Sequence, residues 1–184
     1  MKNLILSTIL FVFLTSHAQT TNAPRTYFEA YNDAVDAPLL KGMSVIGTLN
    51  NQLDFPLEIR AERLTNLQTS NTVYAVSLRT RVGSKQTTVD YIDYDELDGF
   101  IQGIQLISQT VQSPVPTDNF EVAYRTRCGL SLLKVSNGSK ITIVMKSGDN
   151  VDVRNRMAAF VLDDLARYLT AAKAKLDSLA SSSQ

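Results

Sequence analysis

Residues 87–107 read TTVDYIDYDELDGFIQGIQLI. Residues 87–92 form a short strand, and from Asp93 the apolar positions fall at helical spacing. Leu97, Phe100, Ile101, Ile104 and Ile107 make one apolar stripe. Asp93 fits the N-cap and Glu96 the N3 partner of a capping box, with Ile92 and Leu97 at the N′ and N4 positions of a hydrophobic staple. Gly99 and Gly103 sit one turn apart, and each weakens a helix by about 1 kcal/mol relative to Ala. A close approach to another backbone would offset that cost.

Upstream the pattern has period two. Residues 44–49 read as a first strand, followed by the turn signal Asn50-Asn51. Phe55, Leu57, Ile59 and Ala61 then alternate with Glu58, Arg60 and Glu62, as in a strand with one buried and one wet face. A polar loop spans 66–71. Tyr74, Val76, Leu78 and Val82 alternate with Ser77, Arg79 and Arg81. Farther upstream, Thr26 to Glu29 fits a second capping box, predicting a short helix that ends near Pro38.

Downstream, 110–118 carries Pro114 and Pro116 and reads as a loop. The strand pattern then returns. Phe120, Val122 and Tyr124 oppose Glu121, Arg125 and Arg127; 130–135 is a further strand; Asn137-Gly138 is a hairpin signal leading into 140–146. A short strand is expected at 150–153 and a last helix over 155–179, with Val161, Leu165, Tyr168, Leu169, Ala172, Leu176 and Leu179 facing the core.

The fold class is therefore α+β: two pseudo-repeated antiparallel β-sheet plus helix units (ββββα twice), each sheet with one apolar face covered by a helix. A shift of 61 residues places Phe100, Ile101, Ile104 and Ile107 on Val161, Leu162, Leu165 and Tyr168. The expected organisation is a signal peptide at 1–18, a linker or short helix at 19–42, a single domain over 43–179 with halves 43–109 and 119–179, and a disordered tail at 180–184. This topology resembles that of whirly-type and PUR-type single-stranded nucleic-acid binders. More loosely, it resembles tandem-repeat secreted inhibitors that bind enzymes through a sheet face. No motif residues match either group, so the resemblance implies a fold and not a function.

The export signal rests on Lys2, the apolar run LILSTILFVFL at 4–14, and small residues at Ser16 and Ala18 around a cleavage site. The run is too short to span a bilayer. Cleavage after Ala18 would remove His17, the chain's only histidine, and with it the commonest catalytic base and metal ligand. The chain has 18 basic and 18 acidic residues, one Cys and no Trp. Neutral charge weighs against a phosphate-backbone partner. Cys128 has no internal partner for a disulfide and is expected to be buried in its strand.

Asp90, Asp93, Asp95, Glu96 and Asp98 form the densest acidic run, but the sixth position counted from Asp93 is Asp98 where a calcium loop requires Gly. Acids in a first helical turn complement the helix dipole. Ser131 and Lys134 match S-x-x-K, yet three apart on a strand they face opposite ways. Asn137-Gly138-Ser139 is a glycosylation sequon overlapping a tight turn. Neither a cofactor nor a metal is expected. Seven tyrosines remain, with Tyr27, Tyr31, Tyr91 and Tyr94 near element ends where their hydroxyls can stay wet.

The expected ligand surface is built on two arginine pairs. Arg79 with Arg81, and Arg125 with Arg127, sit two apart on strands, so each pair leaves one face and can grip a carboxylate or phosphate. Glu58, Arg60 and Glu62 are expected on a neighbouring strand. These features predict a secreted or periplasmic, non-catalytic binding protein with a protein or an acidic or polar ligand as partner, without a membrane anchor after processing. The alternatives are a single-stranded nucleic-acid binder and an enzyme using carboxylates or tyrosines.

Overall fold

In the computed structural model the described residues are 26–33, 37–50, 56–82, 86–110, 119–138, 140–147, 154–157 and 161–182. The expected signal at 1–18, the polar start at 19–25, the loop at 111–118, the strand at 150–153 and the side chain of Arg81 lie outside them.

The fold is α+β with two antiparallel sheets. The elements run α1 (Tyr27–Asn32), β1 (Leu39–Leu49), β2 (Leu57–Asn66), β3 (Thr72–Val82), β4 (Gln86–Asp93), a single 3-10 turn (Tyr94–Glu96), α2 (Leu97–Gln109), β5 (Asn119–Arg125), β6 (Ser131–Asn137), β7 (Lys140–Lys146), β8 (Arg154–Met157) and α3 (Val161–Ser181). The first sheet has the order β1-β2-β3-β4 and the second β5-β6-β7-β8. β1 starts at Leu39, ahead of the alternation visible from Met43, and its pairing with β2 shifts register between Val45 and Gly47.

The end of the chain departs from the expected helix over 155–179. Residues 154–157 pair with β7, Met157 opposite Ile143 and Arg154 opposite Lys146, and the helix starts only at Val161. The apolar spacing of α3 is unambiguous from Val161 onward, and nothing in helical spacing alone marks where a preceding short strand ends.

Each of the two long helices, α2 and α3, covers the sheet of the other half. α2 follows the first sheet in sequence but packs on β5 and β6, while α3 follows the second sheet and packs on β1, β2 and β3. The two helices also pack on each other. A single apolar core results. It holds Leu57, Ile59, Val76, Leu78 and Ile92 from the first sheet, Leu132, Ile143 and Met145 from the second, and the inner faces of both helices. Full burial of one such leucine or isoleucine contributes about 1.5–3 kcal/mol.

Two glycine–tyrosine contacts set the helix–sheet spacing. On α2 a Cβ at Gly103 would lie 2.3 Å from Cδ2 of Tyr124, and one at Gly99 would lie 2.8 Å from its hydroxyl. The partner that offsets the cost of these helical glycines is thus a tyrosine ring from β5, not a backbone. On β1 a Cβ at Gly47 would lie 2.3 Å from Cε1 of Tyr168 on α3. The C-terminus of α2 is closed by Lys134 of β6, which is 5% exposed. Its ammonium donates to the carbonyls of Ile107 (3.0 Å), Ser108 (3.3 Å) and Thr110. The cation meets the negative end of the helix dipole, where the last carbonyls have no helical partner.

A smaller cluster lies on the opposite face of the first sheet, where α1 seats Phe28 against Leu64 and Ala75. The Thr26–Glu29 capping box forms as expected. Asp93, however, makes no side-chain cap on its own helix. Its carboxylate accepts from the backbone N–H groups of Tyr27 (2.7 Å) and Phe28 (3.0 Å), and so caps α1 instead. A 3-10 turn intervenes before α2, and Asp93 at the end of β4 projects onto the face that α1 covers.

Candidate binding cleft

The capping of α1 by Asp93 brings one end of that short helix beside the β4–α2 junction and leaves a cleft of about 450 Å³ between them. Thr72, Val73 and Tyr74 of β3 line one part of it, Tyr27 of α1 another, and Asp93, Tyr94 and Asp95 a third. Arg127 completes the lining. Tyr27 is 66% exposed, and the Tyr74 and Tyr94 rings lie 6.3 Å apart at 57°. The hydroxyl of Tyr94 donates to Asp177 on α3, a bond that pushes the phenol pKa up.

Arg127 is fixed by three carboxylates. Its side chain pairs with Asp95 at 2.6 Å, Asp93 at 3.5 Å and Glu96 at 3.4 Å, and its backbone N–H donates to Glu96 at 2.8 Å. These partners, the Asp95 hydrogen bond foremost, favour the charged guanidinium. The pairing of Arg127 with Arg125 on one strand face is corrected by the structure. β5 ends at Arg125, and a turn follows in which Thr126 N donates to Leu130 O and Gly129 N to Thr126 O. Gly129 takes the left-handed backbone, φ 88°, that this turn requires. Arg127 thereby faces the first half of the chain, whereas Arg125 is exposed at the end of β5.

The same turn relocates Cys128. It is half-buried in the turn and not in a strand, with Sγ 3.0 Å from Thr126 Oγ1 and 3.3 Å from the Tyr91 carbonyl. Burial pushes its thiol pKa up, so the reactive thiolate is disfavoured.

Arg79 lies elsewhere, on the outer face of the first sheet. Its strand neighbours are those expected from sequence, with Glu58 opposite Arg79 and Arg60 opposite Ser77. Arg79 Nε stands 3.9 Å from the carboxylate of Glu62, which is fully buried. Glu62 also accepts from Ser77, and its Oε2 lies 2.8 Å from Lys41 Nζ, within ion-pair distance but out of hydrogen-bond alignment. Lys41 donates to the Tyr91 hydroxyl and stands 5.4 Å from the centres of both the Phe28 and Tyr91 rings. Burial works against its ammonium, yet the ion pair with Glu62 and the hydrogen bond to Tyr91 prevail and raise its pKa.

The structure therefore separates the arginines: Arg127 in the cleft, Arg79 in the Glu62 cluster, Arg125 on the outer face of the second sheet. Of the tyrosines singled out in the sequence, Tyr27 and Tyr94 line the cleft; Tyr74 lines it too, although in sequence it carries only the signal of a strand residue. The signal that marks the site is the Asp93-Tyr94-Asp95 run where strand gives way to helix. No protein-family model matches this chain, and comparison with curated proteins and with solved structures found no match.

Proposed function

We propose that this chain is an exported, non-catalytic binding protein whose ligand sits in the cleft lined by Tyr27, Tyr74, Tyr94 and Arg127. The observation that carries the reading is the concave, tyrosine-lined site itself. Ligand sites combine apolar or aromatic walls with a few fixed polar groups, and tyrosine offers a rigid apolar ring with a polar tip. Asp95, the most exposed carboxylate of the cleft, is paired with Arg127. Export is supported by the apolar run after Lys2 and the small residues before Gln19. We also infer that the two ββββα units are a pseudo-repeat, in keeping with their common element order and the exchange of their helices.

Native mass spectrometry of protein recovered from the exported fraction is the test. The expected polypeptide mass begins at Gln19, and a bound ligand present on wild type is lost from Tyr27→Ala with Tyr74→Leu. A membrane-retained species that keeps residues 4–14 would defeat the export proposal. Turnover of a substrate, abolished by changing one carboxylate, would replace binding with catalysis.

A further inference from the structure

We propose that the cleft selects an organic cation, an ammonium or guanidinium group on an alkyl stem, either free or as the side chain of a basic peptide. The proposal rests on the reading of the cleft as the ligand site. Arginine at a binding site ordinarily suggests an anionic ligand, but Arg127 is outnumbered here. Asp93, Asp95 and Glu96 all lie within ion-pair distance of it. The next charges along the surface are Lys173 with Asp98 and Asp177, each 3.6 Å from its ammonium. Among these described residues five carboxylates face two cations. An incoming anion would meet net negative charge and a guanidinium already engaged.

The rings point the same way. A cation is attracted to the face of an aromatic ring within about 6 Å of its centre. This chain builds that arrangement three times from its described residues, each time beside a carboxylate: Arg167 stands 4.7 Å from the centre of Tyr168 and pairs with Asp164. Lys173 stands 5.5 Å from the centre of Tyr94 with Asp98 and Asp177 nearby, and Lys41 stands over Phe28 and Tyr91 beside Glu62. The cleft repeats the combination of tyrosine rings and carboxylates. Among the described residues no cation of the chain stands over Tyr27 or Tyr74, so these are the rings left for a ligand.

The proposal makes an unusual demand of Arg127. An anion-binding cleft loses affinity when this arginine is removed; a cation-binding cleft gains it, because Asp95 is released. The test titrates the purified chain with tetramethylammonium, Nα-acetyl-lysine amide, a lysine-rich peptide, a glutamate-rich peptide and a neutral disaccharide. Tyrosine fluorescence is an uncluttered readout because the chain has no Trp, and amide NMR shifts at 72–74 and 93–95 locate the binding. The cationic probes are expected to shift these signals, more weakly at higher salt. Tyr27→Ala should weaken them about two- to fivefold, Asp95→Asn should also weaken them, and Arg127→Gln should strengthen them. A lysine-rich peptide that binds far more tightly than the amide identifies a peptide source, and equal affinity a small-molecule source. Binding of the acidic peptide or the disaccharide in the cleft, with the cations silent, overturns the cation proposal but keeps the site. No response to any probe overturns both.

Discussion

The two glycine–tyrosine joints solve one packing problem with the roles reversed. Where α2 meets the second sheet, the helix supplies Gly99 and Gly103 and the strand supplies Tyr124. Where α3 meets the first sheet, the strand supplies Gly47 and the helix supplies Tyr168. In both places a ring occupies the volume that a Cβ would need, and the layers approach more closely than two ordinary side chains would permit. The surroundings differ. Tyr124 packs against Phe100 at 5.5 Å, and burial raises its pKa, whereas Tyr168 carries the Arg167 guanidinium 4.7 Å from its ring centre. Both rings are half-buried, but Gly103 is buried and Gly47 only half-buried, so equivalent contacts need not be equally rigid.

Adding a methyl group to each joint is the most direct way to break the comparison. Gly103→Ala is expected to destabilise by about 3 kcal/mol, the upper end of overpacking costs, despite the better helix propensity of Ala. Gly47→Ala should cost about 1 kcal/mol, because Gly47 is only half-buried and its surroundings have more room to give. Urea midpoints of the two variants measure the difference, and equal losses would show that the two rings are held alike. The α2 joint has a second fastening without a described counterpart on α3. Lys134→Met keeps the stem but withdraws the donor from three carbonyls, for an expected loss of about 2 kcal/mol. Amide exchange should then accelerate at 107–110 while α3 stays protected.

The smallest effect concerns the seam between β4 and the end of β7. Burial, set against a hydrogen bond from Ser147, pushes the carboxyl of Asp90 above its ordinary value. An acid whose folded pKa is raised binds more protons folded than unfolded, so its contribution to stability falls as pH rises through the ordinary aspartate range and levels off above the raised value. Asp90→Asn, which keeps an acceptor for Ser147, is therefore expected to stabilise at pH 7 by less than about 1 kcal/mol. The gain should vanish below about pH 4. Paired thermal melts across that range would refute this if the variant were less stable at neutral pH.

Much of this architecture is legible in the chain because alternation and helical spacing report which side chains share a face, although the face of β2 expected to be wet is partly covered by α1 and Glu62 on it is buried. Ile59 and Ala61 against Arg60 and Glu62 give a strand, and Leu97, Phe100 and Ile104 give a helix. What local spacing cannot express is which sheet a helix will cover. The stripe on α2 is compatible with either sheet, and only the seat for Tyr124 at Gly103 discloses the choice. The reversed roles also explain why the halves do not align residue for residue: a glycine required on a helix in one is required on a strand in the other. The candidate site was harder to see. Strand parity pairs the arginines, and it fails at Arg127 because the strand stops two residues earlier. The cleft depends on Asp93 reaching a helix 65 residues away, a contact with no local trace.

The exchange of helices also orders events in time. During synthesis the first sheet emerges early, but the helix that covers its apolar face is made only after the strands of both sheets; the second sheet follows the helix that will cover it. Chains that begin folding from the N-terminus as they emerge will gain little here until α3 is free. Contacts between such distant segments also slow folding. Until α3 has been made the apolar face of the first sheet stays uncovered, and the docking of α3 is the step that closes the shared core.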